Sequence, residues 1–260
     1  MLLAMRESMA PGASLPERLA SLERMGYDGI EPIASMSLPV SEVKAAFEAS
    51  RIRPCIIGGS RLLFDLDKGK RLEGMAEMRQ RIAFAAEIGS PGVLIAAYLP
   101  PAWPDLSPIA TGPQLQRQAL VAQLKELVPL AEQHNVQFVL EPLNRYESPV
   151  IQTLQDGATL CQQVGSPVAK IMADFFHMNI EEDDIPASIS EAAPYIVHVH
   201  VAGSSRKQPG TGHLDFRPGF RALKAIGYDG PVSLECRVVG PPEDTLKQAG
   251  EFIKREWEQA

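Results

Sequence analysis

The sequence predicts a single (β/α)8 barrel spanning residues 1–260, and three observations lead there. Apolar β-type runs alternate eight times with helix-length amphipathic segments. That alternation builds a parallel sheet with crossover helices, and eight units close naturally on themselves. The chain's 260 residues suit one such barrel. No composition shift or linker marks a second domain.

Each element has its own signal. The first strand, Leu2–Arg6, is short and begins at the chain start, which makes it the weakest of the eight. Leu19, Leu22 and Met25 give Pro16–Met25 a helical face. Gly29–Pro32 and Arg53–Ile57 read as strands flanking a short helix at Ser41–Ala49. The two longest helices are Leu72–Ile88 and Pro113–His134, on either side of the strand Gly92–Ala97. Gln137–Pro142, Ala169–Ala173, Ile196–Val201 and Val232–Arg237 complete the strands. Thr153–Val164, Ile185–Ala193, Arg217–Ile226 and Glu243–Trp257 complete the helices. The phrases MGYDGIEP (Met25–Pro32) and IGYDGPVSLE (Ile226–Glu235) both read as helix end, turn, strand. Gly26 and Gly227 fit the left-handed position after a helix. The proline-rich stretch Tyr98–Pro113 follows a strand end, so it should form a long loop over the catalytic face.

Composition narrows the partners. The hydrophobic fraction is 45% and the charged fraction 22%, enough apolar material for a large core. A net charge of −7 argues against a nucleic-acid or anionic-membrane partner. Cys55, Cys161 and Cys236 are scattered and odd in number, so they read as free thiols rather than a disulfide framework or structural zinc site. The opening MLLAMRESMAPG carries Arg6 and Glu7 where a secretory leader needs an apolar core, and no run is long enough to span a membrane. A cytoplasmic protein is the expectation.

In such a barrel, functional side chains come from the C-terminal ends of the strands. The fifth strand ends in Glu141, followed by Asn144, Arg145 and Glu147. The sixth ends at Asp174, with His177 after it; the seventh carries His198 and His200; the eighth carries Glu235. Period-two alternation puts Glu141 opposite Phe138 and Leu140, Glu235 opposite Leu234, and both histidines on one face. One acidic residue after an apolar strand is commonly a helix cap or a solvated loop residue. Four candidate ligands on four consecutive strands are better explained by a shared ion. Glu141, Asp174, His200 and Glu235 offer three carboxylates and an imidazole, which suit Mn2+ or Co2+, with Mg2+ also possible; no thiolate favours zinc. Such an ion polarises a ketone and acidifies the neighbouring C–H, which a carboxylate can then deprotonate to an enediolate.

The ordered motifs LEPLNRYE (Leu140–Glu147), DFFHMNIEE (Asp174–Glu182), HVHVAGSSR (His198–Arg206), PGTGHLDF (Pro209–Phe216) and SLEC (Ser233–Cys236) resemble the xylose isomerase-like barrels. Within them the chain is similar to the ketose 3-epimerases, the D-tagatose and D-psicose 3-epimerase group. The pairs Glu141 and Glu147, Asp174 and His177, and His200 and Arg206 match its E-x5-E, D-x2-H and H-x5-R spacings. The resemblance implies Glu141, Asp174, His200 and Glu235 as metal ligands, and Glu141 and Glu235 as the two catalytic carboxylates on opposite faces of a sugar. It implies that Glu147, His177 and Arg206 hold the sugar's oxygens, and that the protein is a homo-oligomer, dimeric or tetrameric, acting on a small sugar. Because PGTGHLDF also occurs in hydroxypyruvate isomerase-like members, aldose–ketose isomerisation is a second expectation, and dehydration of a keto-sugar or polyol a third. The DNA endonucleases that share this barrel need a three-zinc cluster, for which five histidines are too few. A non-catalytic sugar-binding barrel would not need the Glu141 and Glu235 pair.

The remaining polar residues carry plainer readings. Glu31 is expected to support the site or belong to a loop, and His198, one layer deeper than His200, to be a hydrogen-bonded core residue. His134 at a helix end favours that helix as a cation and nothing more. His213 lies in a glycine-flanked loop, and Lys207 is a solvated charge or a phosphate contact.

Overall fold

The computed structural model describes residues 1–260. Nine parallel strand segments form one sheet: β1 (Leu2–Arg6), β2 (Gly29–Glu31), β3 (Arg53–Pro54), β4 (Ile57–Gly58), β5 (Gly92–Ala96), β6 (Gln137–Glu141), β7 (Ala169–Asp174), β8 (Ile196–Val201) and β9 (Pro231–Leu234). Their order is β3-β2-β1-β9-β8-β7-β6-β5-β4. The two ends of this order, β3 and β4, are halves of one run, Arg53–Gly58, so a single stretch of chain closes the barrel. Its first half pairs with β2 and its second half with β5. The expected third strand, Arg53–Ile57, is therefore broken rather than continuous. Pro54 supplies no N–H to a ladder, and the chain changes partner just after it.

The helices are α1 (Leu15–Met25), α2 (Val40–Glu48), α3 (Lys68–Ile88), α4 (Gly112–His134), α5 (Leu154–Val164), α6 (Phe175–Glu181), α7 (Ile185–Glu191), α8 (Arg217–Ala225) and α9 (Pro242–Glu258). Their ends follow side-chain chemistry. Ser14 caps α1, Asp67 caps α3, and Thr111 forms a capping box with Gln114 at the start of α4. Gly26 and Gly227 adopt left-handed φ angles of 80° and 74°, as the two related phrases required. No helix is long and apolar enough to cross a membrane.

Alternation along the strands separates two layers. Val93, Phe138, Leu140, Ile171, Val199 and Val232 face outward into the 56-residue core between sheet and helices. Ile56, Leu94, Val139 and Met172 face inward and plug the barrel floor. One irregularity matters. Between Ile171 and Met172 of β7, β8 advances from Ile196 to His198, so Val197 is an extra residue. The bulge aligns His198 with Met172 and His200 with Asp174, both facing inward.

Two expectations are corrected, and one further helix is found. The first strand is not weak: β1 pairs with both β2 and β9, and Leu3, Ala4 and Met5 are buried. β9 ends at Leu234, so Glu235 stands one residue beyond the strand. The DFFHMNIEE motif forms a helix of its own, α6, which begins immediately after Asp174. The Tyr98–Pro113 stretch is a loop, as expected. It is tied down by bonds from the Trp103 indole to the Phe64 carbonyl (3.1 Å) and from the Gln116 amide to the Pro101 carbonyl (3.0 Å). The free cysteines are buried at Cys55 and Cys161 and half-buried at Cys236. Burial pushes the Cys236 thiol up to about 12, which leaves it unreactive.

All nine large apolar side chains that remain exposed lie in loops after strands or near the start of α3, on the face where the strands end. The opposite face exposes none.

The closure can be tested at Gly59, directly after β4. A Cβ there would run into the Leu94 carbonyl of β5. Gly59→Ala should therefore lower stability by about 1–3 kcal/mol through overpacking, read as a lower urea midpoint at unchanged slope. A parent-like midpoint would show that the closure shifts freely.

Candidate active site

Four inward-facing positions at one height define the site. Glu141 ends β6, Asp174 ends β7, His200 lies near the end of β8, and Glu235 follows β9. One potential ligand atom from each lies within 4.8 Å of all the others. His200 Nδ1 is 3.1 Å from a Glu235 oxygen, 3.6 Å from Glu141 Oε1 and 3.7 Å from Asp174 Oδ2.

Asp174 is oriented by its own helix. Its Oδ1 accepts from the backbone N–H groups of Phe176 (2.8 Å) and His177 (3.4 Å), capping α6 and leaving Oδ2 for the site. His200 is oriented from behind. Its Nε2 lies 2.9 Å from Glu31 Oε1, an oxygen that His198 Nε2 also approaches at 2.9 Å. With its Nε2–H donated to Glu31, His200 turns Nδ1 toward the three carboxylates, an arrangement common among metal-binding histidines.

Two buried polar atoms of this centre, His200 Nδ1 and Glu141 Oε1, have no hydrogen-bond partner. They face one another across 3.6 Å. Buried polar atoms without a partner are costly and rare. A cation between them would satisfy both, so the donor set fits a divalent ion. A second cluster, Glu31, His198 and His200, also has ligand atoms close together, but its contacts are already hydrogen bonds.

Guanidinium groups surround the carboxylates. Arg206 reaches Asp174 Oδ2 at 2.8 Å and also pairs with Glu235. Arg6, from the end of β1, pairs with Glu235 and with Glu31 at 3.3 Å. Arg206 adopts a left-handed φ of 58°, uncommon outside glycine. Its turn is held by bonds from Arg206 N–H to the Gly203 carbonyl and from Arg237 N–H to the Arg206 carbonyl. Burial alone would raise the pKa of Asp174, but Arg206, His177 and His200 hold it well below the ordinary value. Burial would likewise raise Glu235, but His200, Arg206 and Arg6 lower it. Glu31 is also held well down, burial being outweighed by His200 and His198.

The backbone N–H of Asn144 donates to His177 Nδ1 at 3.1 Å, closer than the 3.4 Å from Arg206 Nη1 to Nε2, so the shorter contact assigns the proton of the ring to Nε2. That N–H points into the site, 3.6 Å from Asp174 Oδ2 and 3.9 Å from Glu141 Oε1. The Asn144 side chain is fixed by the Tyr146 N–H on its oxygen and donates to Glu147 Oε1 at 2.9 Å. Asn144 thus links the two expected substrate contacts, His177 and Glu147.

These groups enclose a pocket of about 340 Å³. Glu141, Glu147 and His177 line one side, Arg206, Glu235 and Arg6 another, and Arg61 with Tyr98 the end nearest β4 and β5. Its volume suits one sugar ring. All seven residues expected at the site from sequence come together here. Sequence reasoning missed Arg6 and Arg61, and named Asn144 and the loop from Tyr98 without giving either residue a role in the site. Arg6 obeys the same rule as the others, a polar residue ending a strand, but its strand is short. Arg61 follows a strand too brief to carry a pattern.

A family model described as the xylose isomerase-like TIM barrel matches residues 19–256. The chain belongs to this family. The 3-dehydro-D-guloside 4-epimerase of Escherichia coli (strain K12) is 31% identical over 231 residues, covering 85% of this chain and 87% of that protein. A D-psicose 3-epimerase of Ruminiclostridium cellulolyticum is 42% identical over a shorter 115 residues, 44% of this chain and 39% of that protein. The crystal structure of a 3-keto-D-glucoside 4-epimerase from E. coli superposes with a TM-score of 0.88 at 26% identity, covering 98% of this chain and 99% of that one. The expected barrel and family are borne out. So is the expected enzyme class, since these xylose isomerase-like relatives are named as epimerases, which are isomerases acting on carbohydrates.

The electrostatics of the centre predict how an ion competes with protons. Burial would lower the pKa of His200, but Glu31 and Glu235, with Asp174 and Glu141, hold it well above the ordinary value. Its proton therefore stabilises the metal-free fold below the unfolded-state pKa and is lost as pH rises through the folded one. A divalent ion on Nδ1 must displace that proton. Mn2+ affinity should thus strengthen from about pH 6 to about pH 8, by at most about tenfold per unit, with proton release in calorimetry. A pH-independent affinity without proton release would show that His200 is already neutral.

Proposed function

We propose that this protein is a divalent metal-dependent epimerase that inverts the carbon next to a sugar's keto group, and that a ketose inverted at C3 is its simplest substrate. The observation that carries this reading is the placement of Glu141 and Glu235 at the two ends of a four-strand arc, β6 to β9, with one pocket between them. Two carboxylates reaching one substrate from two sides suit proton removal on one face and return on the other.

Glu141, Asp174, His200 and Glu235 would hold the ion. When bound, it would polarise the ketone and the neighbouring hydroxyl, acidifying the C–H between them. Mn2+ or Co2+ suits three carboxylates and an imidazole without a thiolate, with Mg2+ the harder alternative.

Glu235, held ionised between Arg6 and Arg206, is equipped to take the proton. As the C–H bond breaks, its electron pair forms the C=C bond of an enediolate. Glu141 returns a proton to the opposite face, and the C=C pair becomes the new C–H bond. Each carboxylate ends in the other's starting state, so the reverse reaction runs through the same groups. His177, donating from Nε2, and Arg206 stabilise the oxygens that gain charge. Glu147 accepts a hydrogen bond from a sugar hydroxyl.

A second reading uses the same step on C4 of a 3-keto sugar, again the carbon beside the ketone. Its support is the span of the 4-epimerase relative, 85% of the chain, against 44% for the psicose epimerase.

The metal-loaded protein should exchange the hydrogen beside the keto carbon with D2O, and NMR should show the epimer forming. Glu235→Gln and Glu141→Gln should each lower turnover by at least about a thousandfold while sugar affinity stays within about tenfold. A fully active Gln variant would remove that residue from the proton path. Exchange at C1 with aldose formation would replace epimerisation by isomerisation.

A further inference from the structure

We infer that the sugar pocket continues outward onto a second subsite, built from Tyr98, Leu99 and Tyr146 with Arg61 at its edge, which takes the apolar or aromatic substituent of a glycoside. This rests on the epimerase reading, and specifically on a 3-keto pyranoside as substrate.

The first observation is Leu99. It holds a left-handed φ of 43°, a conformation suited to glycine or asparagine, and its side chain is 62% exposed. Folding gains nothing from leucine there on either count. The backbone is held in place by the Leu99 N–H donating to the Glu147 carbonyl at 2.8 Å. That bond joins the loop after β5 to the loop after β6, so Leu99 adjoins the Tyr146–Glu147 turn. Tyr146 is 78% exposed and Tyr98 is 40% exposed.

The second observation is continuity. Tyr98 and Glu147 both line the pocket, so the apolar platform begins where the pocket ends. Arg61 lies over the Tyr98 ring at 5.0 Å and makes no ion pair, unlike Arg6 and Arg206. The rim is pre-formed: Ser60 caps the turn bearing Arg61, and Phe64 of that turn accepts the Trp103 indole N–H.

The third is the geometry of a pyranose. C4 and C1 lie across the ring from one another. With C3 and C4 at the carboxylates of β6 to β9, C1 must point to the far wall, where Arg61 and Tyr98 stand. A pocket of about 340 Å³ accommodates the ring. The group attached to C1 then lies outside, over the exposed platform. A free ketose would leave this platform bare.

The test compares methyl and phenyl 3-keto-β-D-glucopyranosides with a free ketose, following C–H exchange in D2O with the Mn2+-loaded protein. The phenyl glycoside should show kcat/KM about tenfold above the methyl glycoside, for burial of one ring face. Leu99→Asn, which suits the left-handed backbone, and Tyr146→Ser should each reduce that ratio severalfold without changing the methyl rate. Leu99→Asn should also leave the melting temperature unchanged or raised. A ratio near one in the parent protein, or a ratio untouched by both variants, overturns the subsite. So does a variant that alters only the oligomeric state in light scattering, which would assign the platform to a contact between copies. Exchange with the free ketose but neither glycoside overturns the subsite and leaves the epimerase reading standing. No exchange with any keto sugar, despite bound metal, overturns both.

Discussion

The buried carboxylate of Glu31 governs the centre although it faces none of the pocket. It accepts from His200 and His198 and is braced by Arg6. By accepting the hydrogen bond from His200 Nε2–H, it leaves Nδ1 for the three carboxylates opposite. Removing one partner from such a buried, paired set typically costs about 3–5 kcal/mol, because the others stay buried without compensation. Glu31 is thus a structural residue through which the chemistry is set. Arg6 extends the same network to Glu235, so the imidazole and the carboxylate proposed to move the proton share one support.

Concentrating so many charges at one end of a barrel is unfavourable for folding alone. Glu31, Glu141, Asp174, His198 and His200 are all buried, and three of their polar atoms, Glu141 Oε1, His198 Nδ1 and His200 Nδ1, have no hydrogen-bond partner. The fold tolerates this because the layer beneath is apolar and closed. Leu94, Val139 and Met172 fill the floor, and the outward faces of the same strands join the large core. Stability comes from one face of each strand and chemistry from the end of the other. The β8 bulge at Val197 connects the two, aligning both histidines with the inner face.

Much of this was legible in the sequence because strand alternation is a strict code. Once Gln137–Glu141 is a strand, Phe138 and Leu140 must oppose Glu141, and similar reasoning applies to His198 with His200 and to Glu235. The left-handed turns at Gly26 and Gly227 were legible for the same reason: few residues adopt that geometry. What escaped was encoded over short distances or through space. The third strand is too brief, and broken after Pro54, to carry a period. Helix α6 is seven residues long and owes its start to the Asp174 carboxylate, which the sequence shows only as a candidate ligand. The partnership of Asn144 with His177 spans 33 positions and runs through a backbone N–H, which has no signature in a motif. Arg6 was hidden by a strand that looks weak alone but gains its stability from neighbours on both sides.

The most direct test of the account is a crystal of the protein soaked in Mn2+ and measured at the manganese absorption edge. The account predicts one anomalous peak, bounded by Glu141, Asp174, His200 Nδ1 and Glu235, with Glu31 still bonded to His200 Nε2. A peak between Glu31, His198 and His200, or no peak while Arg206 and Arg6 keep every carboxylate contact, would contradict it.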